Sequence, residues 1–173
     1  MSYRFACFAL LVGLVASGCS KSSTSPTATA AGPKFTAALN AANEVPAVTN
    51  ADATGSGTAT MTMTTFKDTA GNITVATMDF TVSLTGFPAG TVLTGAHIHP
   101  GASGTTGSVI VQTGLASGEI TLSNGAGSIT KGSITVTPEL AQAIINGPAG
   151  YYFNVHTTLN SGGAVRGQLV RAN

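Results

Sequence analysis

The sequence predicts an all-β domain, a barrel or sandwich of about eight strands with one short helix. Short runs of threonine, valine and isoleucine alternate with small or polar residues, as in strands that bury one face. Glycine-rich segments separate these runs, and the chain holds 22 glycines among 173 residues. Short strands at regular spacing with turn residues between them are typical of a β-sandwich or β-barrel.

Two neighbouring runs predict a hairpin. In residues 58–64 an alanine and two methionines alternate with threonines, so Ala59, Met61 and Met63 should face the core. Residues 76–84 repeat this period, and the segment Asp68-Thr69-Ala70-Gly71-Asn72 between the runs supplies turn chemistry. Further strands are predicted at residues 35–41, 92–99, 108–113, 127–136, 150–156 and 164–170.

One short helix interrupts the later strands. Thr137 is a candidate N-cap, and Pro138 occupies the first helical position, where its missing N–H costs nothing. Residues 140–145 form the helix body, and Asn146-Gly147-Pro148 ends it.

The first residues indicate export. Arg4 precedes an apolar run, residues 5–15, that is too short to span a membrane and ends in small residues, so residues 1–18 are predicted to be a signal peptide. Val15-Ala16-Ser17-Gly18-Cys19 resembles the lipobox of bacterial lipoproteins, in which the cysteine becomes the lipidated N-terminus. An ordinary signal-peptidase site is the alternative. Ser20 after the cysteine favours the outer membrane if the source has two membranes.

Residues 19–33 are then a lipidated N-terminus and a flexible tether, because small polar residues cannot bury enough apolar area to order themselves. Residues 34–173 form the β domain. The expected location is the cell envelope, with a membrane contact through the lipid. Cys7 leaves with the signal peptide and Cys19 carries lipid, so the domain has no disulfide.

The charge balance excludes one class of partner. Seven basic and six acidic residues give a formal net charge of +1, so the chain has no basic surface for nucleic acid. No nucleophile and base are recognisably paired, and we predict no catalytic residue.

The three histidines are the candidate site. His97 and His99 are two residues apart on one predicted strand, so both face the same side of the sheet. His156 ends another strand, and Asn154 shares its face. Imidazoles on a rigid sheet suit copper or zinc, and ligands of one ion should lie within roughly 3 to 4 Å of one another. The alternative is a hydrogen-bonded network that satisfies buried polar groups.

Four blocks resemble the CHRD domain over roughly residues 34–170. The blocks are Asn43-Glu44-Val45-Pro46, residues 95–101 with 107–110, Thr137-Pro138-Glu139-Leu140, and residues 150–157 with 163–169. CHRD domains occur in chordin and in many exported bacterial proteins, mostly without an assigned activity. Members often have a glutamate near the end of the last block, where this chain has Ala164-Val165-Arg166.

A weaker resemblance reaches copper/zinc superoxide dismutase, which implies a Greek-key β-barrel. It places residues 95–99 on the copper-binding strand, His156 at a later copper ligand, and Arg166 at the anion-guiding arginine. The bridging histidine, the zinc loop and the intrachain disulfide of that family are missing here.

Three functions are therefore expected in order. The first is a non-enzymatic binding or structural module that meets a protein or envelope partner. The second is a copper or zinc protein with ligands His97, His99 and His156, supported by Asn154, Arg166 and Glu44. Glu44 is the carboxylate of a matching block that could approach the imidazoles, or it caps a turn with Asn43. A superoxide dismutase is a distant third.

Overall fold

The fold is a nearly closed antiparallel β-barrel with one short helix, which confirms the predicted class. The computed structural model describes residues 27–28 and 32–172. The strands are β1 (Thr27–Ala28), β2 (Lys34–Asn40), β3 (Ser56–Lys67), β4 (Ile73–Thr85), β5 (Thr91–Pro100), β6 (Val111–Gln112), β7 (Thr121–Leu122), β8 (Gly127–Val136), β9 (Tyr151–Thr157), β10 (Val165–Gln168) and β11 (Val170–Ala172). Helix α1 spans Pro138–Asn146, and short 3₁₀ helices span Ala41–Asn43 and Pro148–Gly150.

Eight strands follow one another around the barrel in the order β6-β5-β9-β10-β2-β3-β4-β8. The predicted hairpin of β3 and β4 is confirmed, with Met61 opposite Phe80. The connections from β4 to β5 and from β8 to β9 cross between distant parts of the sheet, as in a Greek key. These crossings place β5 beside β9, so the two histidine strands are neighbours.

The core lies inside the barrel, and the predicted alternation fills it. Ala59, Met61 and Met63 are buried as expected. Phe80 of β4 stacks on Phe153 of β9 with ring centroids 5.9 Å apart, which joins the two halves of the sheet. The largest fully buried apolar side chains are Phe35, Phe80, Phe153, Met61, Met63, Met78, Leu93, Ile98, Leu122, Ile129 and Ile144.

Helix α1 confirms the predicted start and stop signals. The Thr137 side chain accepts a hydrogen bond from the backbone N–H of Leu140, and Gly147 is the C-cap. Ala141 and Ile144 are buried and hold the helix against the barrel.

Two predicted strands are shorter or divided. The strand expected at residues 108–113 pairs as a regular strand only at Val111–Gln112, because residues 101–109 fold back over the outer face of the sheet. The strand expected at residues 164–170 is divided at Leu169, where the chain leaves β9 and pairs further along β2. The two-residue strand β7, which pairs with the start of β5, was not predicted.

The predicted signal peptide and Cys19 lie outside the described residues, as does most of the predicted tether. The prediction of an unpaired tether is wrong at Thr27–Ala28, which pair with Lys67 and Phe66 as strand β1. The physical reason is that β3 runs beyond the end of β2, and its exposed edge offers unpaired backbone groups. In the described part of the chain, no helix has the length and apolar character needed to cross a membrane.

Candidate functional site

The three histidines meet on the outer face of β5 and β9. Ala96 and Ile98 point into the core, so His97 and His99 point outward by alternation. On β9 the same alternation turns Asn154 and His156 outward. One ring nitrogen of each histidine lies within 4.8 Å of those of the other two. The juxtaposition that the sequence predicted is therefore present.

One pair of imidazoles is already at ligand spacing. His97 Nδ1 lies 3.0 Å from His156 Nε2, close to the roughly 3.3 Å separation that two ligands of a tetrahedral zinc ion adopt. The group as a whole is looser than the 3 to 4 Å expected. A shared ion would draw the rings together by about 1 Å, given Zn–N bonds of about 2.0 to 2.1 Å.

Backbone carbonyls fix the tautomers of two rings. Nδ1 of His99 lies 2.9 Å from the carbonyl oxygen of Gly107, and Nδ1 of His156 lies 2.8 Å from that of Ser161. A carbonyl oxygen only accepts, so each Nδ1 carries its proton and each Nε2 of a neutral ring presents a lone pair. Histidines that bind metals commonly donate their other N–H to such an acceptor.

Asn154 lies between these two lone pairs. Its Oδ1 is 3.1 Å from Nε2 of His99 and 3.1 Å from Nε2 of His156. An oxygen cannot donate to either nitrogen. The contacts are satisfied if the amide turns over, so that its NH₂ group donates one hydrogen to each ring, or if a cation lies beside the nitrogens. The donor set therefore fits a transition-metal ion.

The site keeps its imidazoles neutral at physiological pH. Burial is the main cause that lowers the pKa of His97 to about 4, and the neighbouring His156 and His99 lower it further, whereas a hydrogen bond with Gln112 opposes the shift. Burial also lowers the pKa of His156, against the opposing effect of the Ser161 carbonyl. Neutral imidazole is the form that binds metals.

Tyr152 and Arg166 form a stack that supports His99. The ring of Tyr152 is parallel to that of His99, with centroids 4.9 Å apart and an angle of 4°. Arg166, which is 1% exposed, places its Cζ 3.4 Å from the centre of the tyrosine ring. Its Nη2 donates to the carbonyl of Ala102 and to Oε1 of Gln168. Arg166 therefore orders the covering loop, and among the described residues it makes no hydrogen bond with an imidazole.

Glu44 lies apart from the histidines. No carboxylate of the described residues joins the group that could share an ion with them. The backbone N–H of Glu44 caps the 3₁₀ helix Ala41–Asn43 by donating to the carbonyl of Ala41, while its carboxyl group lies against Gly163. Asn43 donates from Nδ2 to the carbonyl of Arg166.

A buried acid that the sequence did not single out holds the loop after β9. Oδ2 of Asp52 accepts hydrogen bonds from Oγ1 of Thr157 at 2.7 Å and Nδ2 of Asn160 at 2.6 Å. The same turn supplies the Ser161 carbonyl that orients His156. Of the supporting residues that were missed, Tyr152 had a sequence signal, because it shares the period of two with Asn154 and His156.

These features define a class of protein, a small antiparallel barrel with a three-histidine cluster on its outer face. The family model of the CHRD domain matches residues 35–169. The chain therefore belongs to the CHRD domain family, as its sequence blocks indicated. No curated protein matches it. Kinship with superoxide dismutase stays a prediction.

Proposed function

We propose that this chain is a lipid-anchored protein of the cell envelope whose CHRD domain binds a copper or zinc ion through His97, His99 and His156. The observation that carries the proposal is the pair of carbonyl-fixed tautomers, which turn Nε2 of His99 and of His156 toward the same amide. A purely structural network would need donors in that space, whereas these nitrogens present lone pairs.

The third ligand comes from His97. Its Nδ1 faces Nε2 of His156, and the ring is half-buried, so an ion can reach the cluster from solvent. In the ion-free state Nδ1 of His97 donates to His156. To bind the ion through Nδ1, this ring must move its proton to Nε2, where Gln112 of the adjacent strand is the available partner. Three protein nitrogens leave a coordination position for water or another small ligand.

Metal loading of the purified full chain tests the proposal. After incubation with Zn²⁺ or Cu²⁺ and dialysis, elemental analysis should find about one ion per chain, and the His97→Ala and His156→Ala variants should lose it. Glu139→Ala, which removes an exposed carboxylate from helix α1, is the control and should retain the ion. Absence of stoichiometric metal in the unaltered chain would overturn the metal function. A superoxide assay on the loaded protein tests the dismutase activity.

The second candidate is a non-enzymatic binding or structural module with a protein or envelope partner. It is supported by the direct hydrogen bond between His97 and His156, which satisfies both atoms without an ion. With that function, the His97→Ala variant would lose stability but no metal.

The anchor has its own test. Acyl labelling in bacteria should mark the full chain, and Cys19→Ser should abolish the label and release the protein from the membrane fraction. Cys7→Ser is the matched control, because Cys7 lies within the predicted signal peptide and should not affect labelling. Labelling of the Cys19→Ser variant would contradict anchorage at this residue.

A further inference from the structure

A second site lies between the loop of residues 44–50 and the turn of residues 160–163. These segments enclose a cavity of about 250 Å³. Glu44 lines it together with the apolar side chains of Val45 and Val48 and the amides of Asn50 and Asn160. It is separate from the histidine cluster, since none of the three histidines contributes to the lining.

Glu44 is an unusual residue to find in this position. Its side chain is only 8% exposed, and its Oε1 is buried with no hydrogen-bond partner in the described part of the chain. Buried polar atoms are almost always paired, and an unpaired one commonly marks a ligand or ion position. Burying an unpaired carboxylate costs folding free energy, so a compensating function is expected.

The backbone makes room for this carboxylate. A Cβ atom at residue 163 would lie 2.5 Å from Oε1 of Glu44 and 2.7 Å from its Oε2. Gly163 has φ of +135°, a conformation that other residues rarely adopt. The carboxyl group is therefore in direct contact with the main chain at the edge of the cavity.

The carboxylate lacks a direct counter-ion. Lys131 and Glu119 form the only ion pair among residues 32–172. Arg166 attracts the carboxylate electrostatically, but its guanidinium stacks on Tyr152 and donates to the loop. Burial accordingly raises the pKa of Glu44 to about 7 although Arg166 lowers it.

We infer that the cavity binds a small organic ammonium ion, with its N–H groups donating to Glu44 and its alkyl part against Val45 and Val48. An ammonium ion supplies both the missing hydrogen bond and the missing charge, and hydrogen bonds between charged groups are roughly twice as strong as neutral ones. A neutral alcohol supplies the donor alone, and an anion is repelled. The inference does not depend on metal binding.

Titration of the full chain with ethylammonium, monitored by ¹⁵N–¹H spectra at about pH 8, where the carboxyl group is mostly ionised, tests the inference. Saturable shifts should appear at the amides of Gly162 and Gly163, and ethanol should produce none. Longer alkylammonium ions should bind up to about fourfold more tightly per added methylene until the cavity is full.

Two variants decide the role of the carboxylate. Glu44→Gln keeps the shape but removes the charge, and it should weaken ethylammonium binding at least about tenfold, a loss typical of one charged hydrogen bond. Glu139→Gln removes an exposed carboxylate and should leave the affinity unchanged. Equal binding of ethanol, equal binding by Glu44→Gln, or shifts confined to other parts of the barrel would overturn the inference. The ethanol comparison uses the unaltered protein, so it remains decisive even if Glu44→Gln fails to fold.

Discussion

Substitution of Gly163 by alanine should destabilise the fold strongly, through two separable causes. The positive φ of +135° costs about 1–3 kcal/mol for a residue with a side chain. The new methyl group would lie 2.5 Å from Oε1 of Glu44, and relieving such an overlap costs about 1–3 kcal/mol more. The free energy of unfolding should therefore fall by about 3–5 kcal/mol.

Urea denaturation of four variants separates the two causes. In a Glu44→Ala background the overlap disappears, so Gly163→Ala should cost about 1–3 kcal/mol less there than in the unaltered chain. The adjacent Gly162→Ala is the matched control, because a Cβ at Gly162 meets nothing within 4 Å, and its effect should stay within about 0.5 kcal/mol. The reasoning is refuted if Gly163→Ala is as mild as this control, or if its cost does not depend on Glu44.

Three further predictions concern the histidine site. Because His97 has a folded-state pKa near 4, below its unfolded value of about 6.5, the unfolded chain binds more protons between these values. The free energy of unfolding of the ion-free protein should thus decrease as pH falls from 6.5 toward 4, and urea titrations of His97→Ala should show a weaker dependence; an equal slope would contradict this assignment. Thr157→Val removes the hydroxyl bonded to Asp52 and should cost about 1–3 kcal/mol in the same titrations. It should also weaken zinc binding about tenfold or more in competition with a chromophoric chelator, and unchanged affinity would show that this turn does not orient the ligands. Tyr152→Leu removes both stacking partners and should cost about 2–4 kcal/mol, whereas Tyr152→Phe, which loses only the 3.3 Å contact with Gly107, should cost under about 1 kcal/mol.

Alternation of side chains explains why the fold could be predicted. Along β3 the methionines and threonines have a period of two, and one buried face is enough to fix which residues enter the core. The helix was equally local, because Thr137 and Pro138 act within one turn of its start. The lengths of β6 and β10 depend instead on a covering loop and on a change of partner strand, which no local pattern records.

The candidate site was predictable only in part, for a related reason. Spacing along β5 put His97 and His99 on one face, and the family resemblance drew attention to His156. The carbonyls of Gly107 and Ser161 that fix the tautomers are backbone groups, which any residue type could supply. The isolation of Glu44 likewise follows from the path of two loops rather than from its neighbours in sequence.

The position of β1 gives the molecule a direction. Thr27–Ala28 join the sheet beside Phe66 and Lys67, whereas the other end of β3, at Ser56, is level with Asn40, Arg166, Asn154 and His97 across the strands. Eleven strand steps of about 3.3 Å separate the two ends, a distance of about 36 Å. If Cys19 carries lipid, the incoming chain meets the barrel at the end remote from the imidazoles, so both they and the Glu44 cavity can face open solvent while the opposite pole approaches the bilayer.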